Sequence, residues 1–217
     1  MSSSPCFLDP VIIPAVRGAT VLDVACGYGR WGCLLHSNYW ETSGGAVLEV
    51  DGFDAFPQNV ALCQSKGVYR RVFQHQLPAS LDGAWDTVLA CEILEHLEGD
   101  DVAPVLEQLE RLATLRVICT APNWPYFREG GQTRVGYNPF EAHKTFIPRE
   151  FFLDRGYRVF GAGFGNPTHP VVRALQLSDP QGAWAGAREV LPRLVPELAH
   201  TLVAIKDLDA PKETSRA

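Results

Sequence analysis

The chain has 217 residues, of which 46% are hydrophobic and 20% are charged, and its net charge is −6 at pH 7. This length and composition predict a single globular domain, residues 1–217, with a substantial core. The acidic balance argues against nucleic acid as the main partner, and no apolar run approaches the ~20 residues of a membrane span.

Strands and helices alternate along the chain, which predicts an α/β fold with a mainly parallel sheet and helices on both faces. The first predicted strand, at 19–25, leads into a helix at 30–36 and a loop at 38–45. Further strands are predicted at 46–53, 69–74, 85–91, 116–120, 157–162 and 199–206. Further helices are predicted at 58–65, 102–113, 148–155, 169–177 and 183–191. Pro57 suits the first turn of the second helix, and Gly67 suits its C-terminal end.

The connection after the fifth predicted strand, residues 121–148, is long and rich in proline, glycine and aromatic residues. Loops of this length are usually lids, binding segments or disordered, and the aromatic residues argue against disorder. We therefore expect this connection to cover a substrate site. The charged tail at 207–217 is expected to be flexible.

The six cysteines form no C-x-x-C pair, so the sequence indicates neither a zinc ribbon nor a disulfide framework. The chain also shows no basic and apolar leader. We expect reduced, mostly buried thiols in a cytoplasmic protein without membrane association. The sequence leaves assembly as a homodimer open.

The most informative segment is residues 21–29, where an apolar strand ends in Asp23 and turns into a helix that starts near Arg30. Glycines permit a tight turn and let a ligand approach the backbone, while the free N–H groups of the helix start face that ligand. This pattern predicts a cofactor-binding loop. Its small residues are Ala25, Gly27 and Gly29.

Two kinds of cofactor use such a loop. Residues 27–32 fit the G-x-G-x-x-G spacing of a dinucleotide site. The Asp23 carboxylate, however, would repel a pyrophosphate and attract a cation. S-adenosylmethionine carries a positive sulfonium and a positive ammonium, so the acid favours that cofactor.

The acid-then-glycine pattern at residues 23–29, Asp-x-Ala-x-Gly-x-Gly, resembles motif I of class I S-adenosylmethionine-dependent methyltransferases of the small-molecule type. Ala25 departs from the usual glycine, which is a mild change. The resemblance implies a Rossmann-like seven-stranded methyltransferase sheet whose last strand runs antiparallel between the fifth and sixth. It also implies S-adenosylmethionine as cofactor, S-adenosylhomocysteine as product and in-line transfer of a methyl group.

Asp54 lies just past the second predicted strand, where an acid accepts two hydrogen bonds from a ribose diol. The resemblance implies that role, and the alternative is an N-cap of the following helix. Phe56 either packs on the adenine or belongs to the core. The family commonly has an acid for the adenine amine after the third strand. Gln76, beside Leu77, is the nearest match, with a solvent-facing strand end as the alternative.

Residues 91–97, Cys-Glu-Ile-Leu-Glu-His-Leu, resemble a signature of many small-molecule methyltransferases. The resemblance implies that the backbone of Cys91 and Glu92 lies beside the sulfonium. Glu92, Glu95 and His96 share one side of a helical turn, a pattern open to metal ligands or an acid–base pair. We interpret it instead as a capped helix start with a structural ion pair, and we predict no metal.

Two further segments resemble the family's substrate site. Residues 121–125, Ala-Pro-Asn-Trp-Pro, end the fifth strand, which makes Trp124 a candidate substrate wall together with Tyr137. His143 precedes a short polar turn and a helix, as in many family members. A histidine takes a proton from an oxygen or nitrogen nucleophile, so His143 is the candidate catalytic base. The alternative for His143 is a hydrogen-bonded structural role.

The acceptor is predicted only as a class. The aromatic connection favours a small planar or apolar molecule that is methylated on oxygen or nitrogen. Arg128, Arg134 and Lys144 are either partners of an anionic group or ordinary solvated charges. Two alternatives stay open: an NAD-type oxidoreductase, and a methyltransferase fold without catalysis that serves as a partner protein.

Overall fold

A computed structural model of the chain describes residues 4–42, 48–178 and 185–208. Its strands are β1 Thr20–Val24, β2 Glu49–Asp54, β3 Arg71–Gln74, β4 Trp85–Cys91, β5 Ala113–Pro122, β6 Gly131–Thr133, β7 Gly136–Asn138, β8 Arg158–Phe164 and β9 Ala199–Asp207. Seven of these strands form one sheet in the order β3-β2-β1-β4-β5-β9-β8. Strands β1 to β5 run parallel, and β9 runs antiparallel to both of its neighbours. The predicted sheet, with its last strand inserted antiparallel, is confirmed.

Helices connect the strands in the predicted order. They are α1 Asp9–Ile12, α2 Arg30–Thr42, α3 Pro57–Lys66, α4 Gly99–Leu112, α5 Arg149–Leu153, α6 Pro170–Ser178 and α7 Ala185–Leu194. Pro57 is the first residue of α3, and Gly67 ends it in a left-handed conformation with a φ of +66°, as predicted. Within the described part of the chain, no helix has the length and apolar character needed to cross a membrane.

The core lies on both faces of the sheet. Leu22 and Val24 of β1 pack on the face that α4 covers with Leu106. Val21, which points the other way, packs on the face that α2 covers with Trp31. Strands buried on both faces explain the continuous apolar runs in the sequence. Because β1 pairs parallel with both β2 and β4, the carboxyl ends of these three strands meet at one edge of the sheet. Ligands bind at this edge in open α/β folds.

Helix α2 is longer than predicted. Residues 38–42, which were expected to be part of a loop, continue the helix. The next glycine after Gly32 is Gly44, so no glycine interrupts this stretch of the helix. Ser37 fits the helix by donating its hydroxyl hydrogen to the carbonyl of Cys33 at 2.8 Å. The remainder of the predicted loop, residues 43–45, lies outside the described residues.

The predicted tail also begins too early. Asp207 is the last residue of β9, and its carboxylate accepts a hydrogen bond from Arg116 at 2.7 Å. The backbone N–H of Leu208 donates to the carbonyl of Leu115 at 2.9 Å. These contacts hold the start of the tail against β5. Residues 209–217 lie outside the described part.

The connection at 121–148 is folded. It contains the β6–β7 hairpin and a backbone pair in which the N–H of His143 donates to the carbonyl of Arg128 at 2.9 Å. The hairpin contacts the β1–α2 loop, because the hydroxyl of Tyr28 accepts from the backbone N–H of Arg134 at 2.8 Å. That this segment covers a substrate stays a prediction.

Candidate functional site

Two neighbouring cavities lie at the carboxyl edge of the sheet. The larger has a volume of about 250 Å³ and the smaller about 50 Å³. Both cavities are lined by Ala25, Ala55, Ile93, His96 and Phe140. The larger cavity also has Phe53, Gln76, Leu77, Glu98 and Lys144 in its wall. The smaller also has Asp54, Asn59, Glu92, Asn138 and Glu141. Because they share five residues, the two cavities form one cleft.

The β1–α2 loop turns tightly at the mouth of this cleft. Ala25, Gly27 and Gly29 have φ values of +52°, +54° and +74°. This left-handed backbone turns N–H groups away from the regular strand and helix. The N–H of Gly29 donates within the loop, to the carbonyl of Cys26 at 2.8 Å, whereas the N–H of Gly27 needs an acceptor from outside. Asp54 supplies it, because its Oδ2 accepts from the N–H of Gly27 at 2.9 Å.

Asp54 has a structural role in addition to its place in the smaller cavity. Its Oδ1 accepts from the N–H of Phe56 at 2.8 Å and from the amide of Asn59 at 3.3 Å. Phe56, and not Asp54, is the N-cap of α3, so these bonds fix the segment just before the helix. Burial raises the pKa of Asp54, and the donated hydrogen bonds oppose that rise. Asn59 is a buried cleft residue that the sequence analysis did not identify.

Asp23 lies beneath the loop, and neither cavity has it in its wall. Its side chain is only 1% exposed, and its Oδ2 accepts from the hydroxyl of Tyr69 at 2.6 Å. Burial raises the pKa of Asp23 to about 7, the Tyr69 hydrogen bond opposes this, and the charge of Asp54 adds to it. Its influence on a bound cation stays a prediction. The sequence analysis missed Tyr69.

The other predicted cofactor residues divide into two groups. Gln76 and Leu77 line the larger cavity beside Phe53. Phe56 is 6% exposed and occupies the N-cap position of α3, which agrees with its core alternative. Cys91 is buried at the end of β4, and burial raises the pKa of its thiol.

All six cysteines are free thiols, and four of them are buried. The Sγ atoms of Cys26 and Cys63 are 3.7 Å apart. This hydrogen bond and then burial raise the pKa of Cys26, which keeps the thiol protonated. The cysteines at the cleft therefore act as small apolar groups.

Glu92 begins the turn after β4 in a left-handed conformation, with a φ of +56°. Its Oε1 accepts from the hydroxyl of Thr120 at 3.0 Å, and burial raises the pKa of this carboxyl to about 7. The next residues form a single 3₁₀ turn, Leu94–His96. The carbonyl of Glu95 then accepts from the backbone N–H groups of Lys144 and Thr145 at 2.8 and 3.1 Å. The turn is thereby fixed to the connection.

Glu95, His96 and His143 lie together and buried. Glu95 Oε1 and His96 Nε2 are 4.0 Å apart. Burial lowers the pKa of His96 to about 2, so this imidazole is neutral, and burial raises the pKa of Glu95. These shifts weaken a charged pair, and the structural ion pair stays a prediction. The turn also has no side-chain cap. His96 Nδ1 lies 2.9 Å from the carbonyl oxygen of Ala142.

His143 is 3% exposed, and its ring nitrogens make no hydrogen bond of standard geometry, although a weaker interaction with the backbone of Tyr126 opposes the fall of its pKa. Its ring contacts the edges of His96 and Tyr126, with centroid distances of 4.6 and 5.0 Å. Burial and the charge of Arg128 lower its pKa to about 4, so the imidazole is neutral at pH 7. Both roles that the sequence leaves open for His143, catalytic base and structural residue, stay predictions.

The candidate substrate residues lie away from the cleft. Trp124 packs edge-on against His200 with centroids 4.6 Å apart, and Tyr137 is 59% exposed on β7. Neither lines either cavity, so their part in binding an acceptor stays a prediction. Two of the candidate cations have partners: Arg128 pairs with Glu141 at 2.8 Å and Lys144 with Glu98 at 2.9 Å.

The chain was also compared with known proteins. No protein-family model and no curated protein matches its sequence. An S-adenosylmethionine-dependent methyltransferase from Mesorhizobium loti has a similar structure, with 15% identity, coverage of 94% of this chain and 98% of that one, and a TM-score of 0.58. Magnesium protoporphyrin IX methyltransferase (ChlM) from Synechocystis PCC 6803, with bound S-adenosylhomocysteine, has 16% identity, coverage of 93% and 82%, and a TM-score of 0.51.

The plantazolicin methyltransferase BamL, in complex with a triazolic desmethylPZN analogue and S-adenosylhomocysteine, has 12% identity, coverage of 93% and 80%, and a TM-score of 0.54. At these identities the similarity establishes the fold. The chain has the fold of class I S-adenosylmethionine-dependent methyltransferases, as its motifs predicted.

Proposed function

We propose that this chain is an S-adenosylmethionine-dependent methyltransferase that acts on oxygen or nitrogen of a small-molecule acceptor. One observation carries the proposal: Asp54 holds the left-handed β1–α2 loop at the mouth of a cleft on the carboxyl edge of the sheet. The fold and the family-like segments at this edge support it.

The cleft residues fit the proposed cofactor. Phe53, Leu77 and Ile93 supply apolar wall for a purine, and the amide of Gln76 both donates and accepts hydrogen bonds. Asp54 in the smaller cavity accepts three hydrogen bonds and retains about one lone pair, on Oδ2, for a ribose hydroxyl. Glu92 adds negative charge near the position of a cation. When bound, S-adenosylmethionine supplies an electrophilic methyl group to the lone pair of an acceptor.

The same residues disfavour a dinucleotide. Asp23, Asp54 and Glu92 gather carboxyl groups where a pyrophosphate needs donors. Arg30 opens helix α2, but its guanidinium binds the Asp9 carboxylate at 2.6 Å. This cation is therefore already paired with a carboxylate. The NAD-type alternative keeps only the G-x-G-x-x-G spacing of residues 27–32 in its favour.

The chain contributes mainly positioning and exclusion of water, because an in-line methyl transfer to a neutral nucleophile spreads existing charge and creates none. The folded connection at 121–148 supplies the remaining wall through Phe140 and Lys144. A hydroxyl acceptor also has to lose a proton. The neutral His143 imidazole is our candidate for that step, although a pKa of about 4 makes it a weaker base than an ordinary histidine.

Calorimetric titration with S-adenosylmethionine and S-adenosylhomocysteine, with NAD for comparison, tests the proposal. We expect micromolar binding of the first two ligands. In Asp54→Asn their affinity should fall roughly 10- to 100-fold, because a charge-assisted hydrogen bond contributes about 1.5–3 kcal/mol. The matched control is Asp86→Asn. Asp86 also accepts backbone N–H groups, from Ala19 and Thr20, but at the opposite edge of the sheet.

Equal loss in both variants would indicate a general effect on folding. Binding of NAD without S-adenosylhomocysteine would favour the oxidoreductase. No binding by the folded protein would favour a non-catalytic partner protein. If the cofactor binds, transfer of a labelled methyl group to a panel of small hydroxyl and amine acceptors identifies the acceptor class.

A further inference from the structure

Unsatisfied polar atoms concentrate at one place in the described part of the chain. Across the described residues, nine buried side-chain atoms have no hydrogen-bond partner of standard geometry. Five of these nine atoms belong to Glu92, Glu95 and His143. Leaving such a group buried and unpaired costs about 1–3 kcal/mol, and more when it is charged. A cluster of this kind calls for a partner such as an ion or an ordered water.

The three side chains of Glu95, His96 and His143 offer one ligand atom each, and these atoms lie within 4.8 Å of one another. The separation of Glu95 Oε1 and His96 Nε2, 4.0 Å, is too long for a hydrogen bond. Two ligands that bind one cation at about 2.1 Å are separated by roughly 3–4 Å. The spacing thus fits a shared cation after a small contraction.

The orientation of His96 supports the same conclusion. Its Nδ1 lies 2.9 Å from the carbonyl oxygen of Ala142, so the hydrogen of the neutral ring is on Nδ1. The lone pair is then on Nε2, the nitrogen that faces Glu95. Metal-binding histidines commonly donate their other ring N–H to a backbone carbonyl in this way.

We propose that Glu95, His96 and His143 bind a divalent first-row transition-metal cation such as Zn²⁺, Co²⁺ or Mn²⁺, with Glu92 beside it. Two imidazoles and one carboxylate suit these ions, whereas Mg²⁺ prefers oxygen ligands. The two carboxyl groups compensate the charge of the cation. The nearby guanidinium of Arg128 is matched by Glu141 at 2.8 Å.

Such a cation would lie at the wall of the cleft, because His96 lines both cavities and Glu92 lines the smaller one. Three protein ligands leave coordination positions for water or for the donor atom of an acceptor. His143 would then bind the cation and not act as a base, since one lone pair cannot serve both. This last consequence depends on the proposed function, but cation binding itself does not.

The test uses the full chain, freed of metal by dialysis against a chelator. Co²⁺ is titrated and its visible d–d absorption recorded, and Zn²⁺ binding is measured by calorimetry. We expect one equivalent to bind, with the intense bands of Co²⁺ bound to nitrogen at low coordination number. Glu95→Gln and His143→Ala should each weaken binding roughly 100-fold or more. The matched control, His200→Gln, removes a partly buried histidine outside the cluster and should bind as the wild type does.

Several outcomes would overturn the site: no saturable binding by the wild type, binding of Mg²⁺ alone, or equal loss in His200→Gln. Thermal unfolding without metal checks that each variant is folded. If His143→Ala does not fold, the isosteric variant Glu95→Gln provides the test of the site. Titration of S-adenosylmethionine on the same preparations separates the two proposals. Metal binding without cofactor binding would reject only the proposed methyltransferase function. Cofactor binding without metal binding would reject only the proposed metal site.

Discussion

Ala25 is the residue where the chain departs from the usual cofactor loop, and its φ of +52° lies in the region that favours glycine. A side chain in this conformation costs about 1–2 kcal/mol, because Cβ approaches the following carbonyl. The substitution is therefore less mild than the sequence suggested. The contacts of Gly27 and Cys26 with Asp54 and Phe53 hold the turn in place despite this cost.

We predict that Ala25→Gly stabilises the protein by about 1 kcal/mol, because it relieves this strain. Urea unfolding followed by circular dichroism measures the change. The matched control is Ala61→Gly in the exposed middle of α3, which should lose about 0.5–1 kcal/mol because glycine weakens a helix. A loss of stability in both variants would contradict strain at Ala25.

At the scale of elements, Tyr69 joins α2 to strands β1 and β2. Its hydroxyl donates to Asp23 at 2.6 Å and accepts from the N–H of Gly32 at 3.2 Å. A Cβ added at Gly32 would lie 2.2 Å from Cζ of this ring, and one at Gly52 would lie 2.9 Å from its Cε1. The last glycine of the G-x-G-x-x-G spacing thus makes room for a side chain of the protein and not for a phosphate.

Gly32→Ala should therefore lower the free energy of unfolding by about 1–3 kcal/mol, the usual cost of overpacking, although alanine alone favours a helix. In a Tyr69→Ala background the same substitution should cost much less. Gly99→Ala is the control, because the nearest atom to its added Cβ is 3.9 Å away at Thr145. Equal costs of Gly32→Ala in the two backgrounds would show that the ring is not the obstacle.

At the scale of the whole molecule, buried acids make stability depend on pH. The pKa of Asp23 is raised from 3.8 to about 7, so the folded state holds its proton more tightly than the unfolded state does. The contribution of protonated Asp23 to the free energy of unfolding is complete below pH ~4, and it is lost as the pH rises through about 7.

We expect the wild type, without cofactor, to lose about 2–3 kcal/mol more than Asp23→Asn between pH 5 and pH 8. The subtraction removes the contributions of other titrating groups, including the histidines. Chemical unfolding at closely spaced pH values measures both curves. Parallel curves, or a larger loss in Asp23→Asn, would mean that the carboxyl titrates normally in the folded protein.

Local patterns were enough to predict most of the architecture. Trp85–Cys91 was placed correctly because an uninterrupted apolar run is typical of a strand covered on both faces. Pro57 and Gly67 marked the ends of α3 for stereochemical reasons. Local polarity misplaced the end of α2, because Ser37 and its neighbours resemble a loop until the bond to the Cys33 carbonyl is known.

The site was predicted only where its residues follow one another in sequence. The loop at Gly27 and the acid at Asp54 could be found from spacing, since each belongs to a strand end. The approach of Tyr69 to Asp23, and of His143 to Glu95, depends on tertiary folding between distant segments. No periodicity encodes such contacts, so the sequence did not place His143 beside Glu95.

The position of β9 has a consequence for synthesis of the protein. Strand β8 is connected to the rest of the sheet through β9. The outer edge of β5 also stays unpaired until β9 is present. At a translation rate of about 5–20 residues per second, β5 leaves the ribosome several seconds before β9 is made. During that interval the nascent chain presents an apolar, unpaired strand edge that invites pairing with other chains. Growth of this chain therefore passes through a state that a chaperone at the ribosome would recognise.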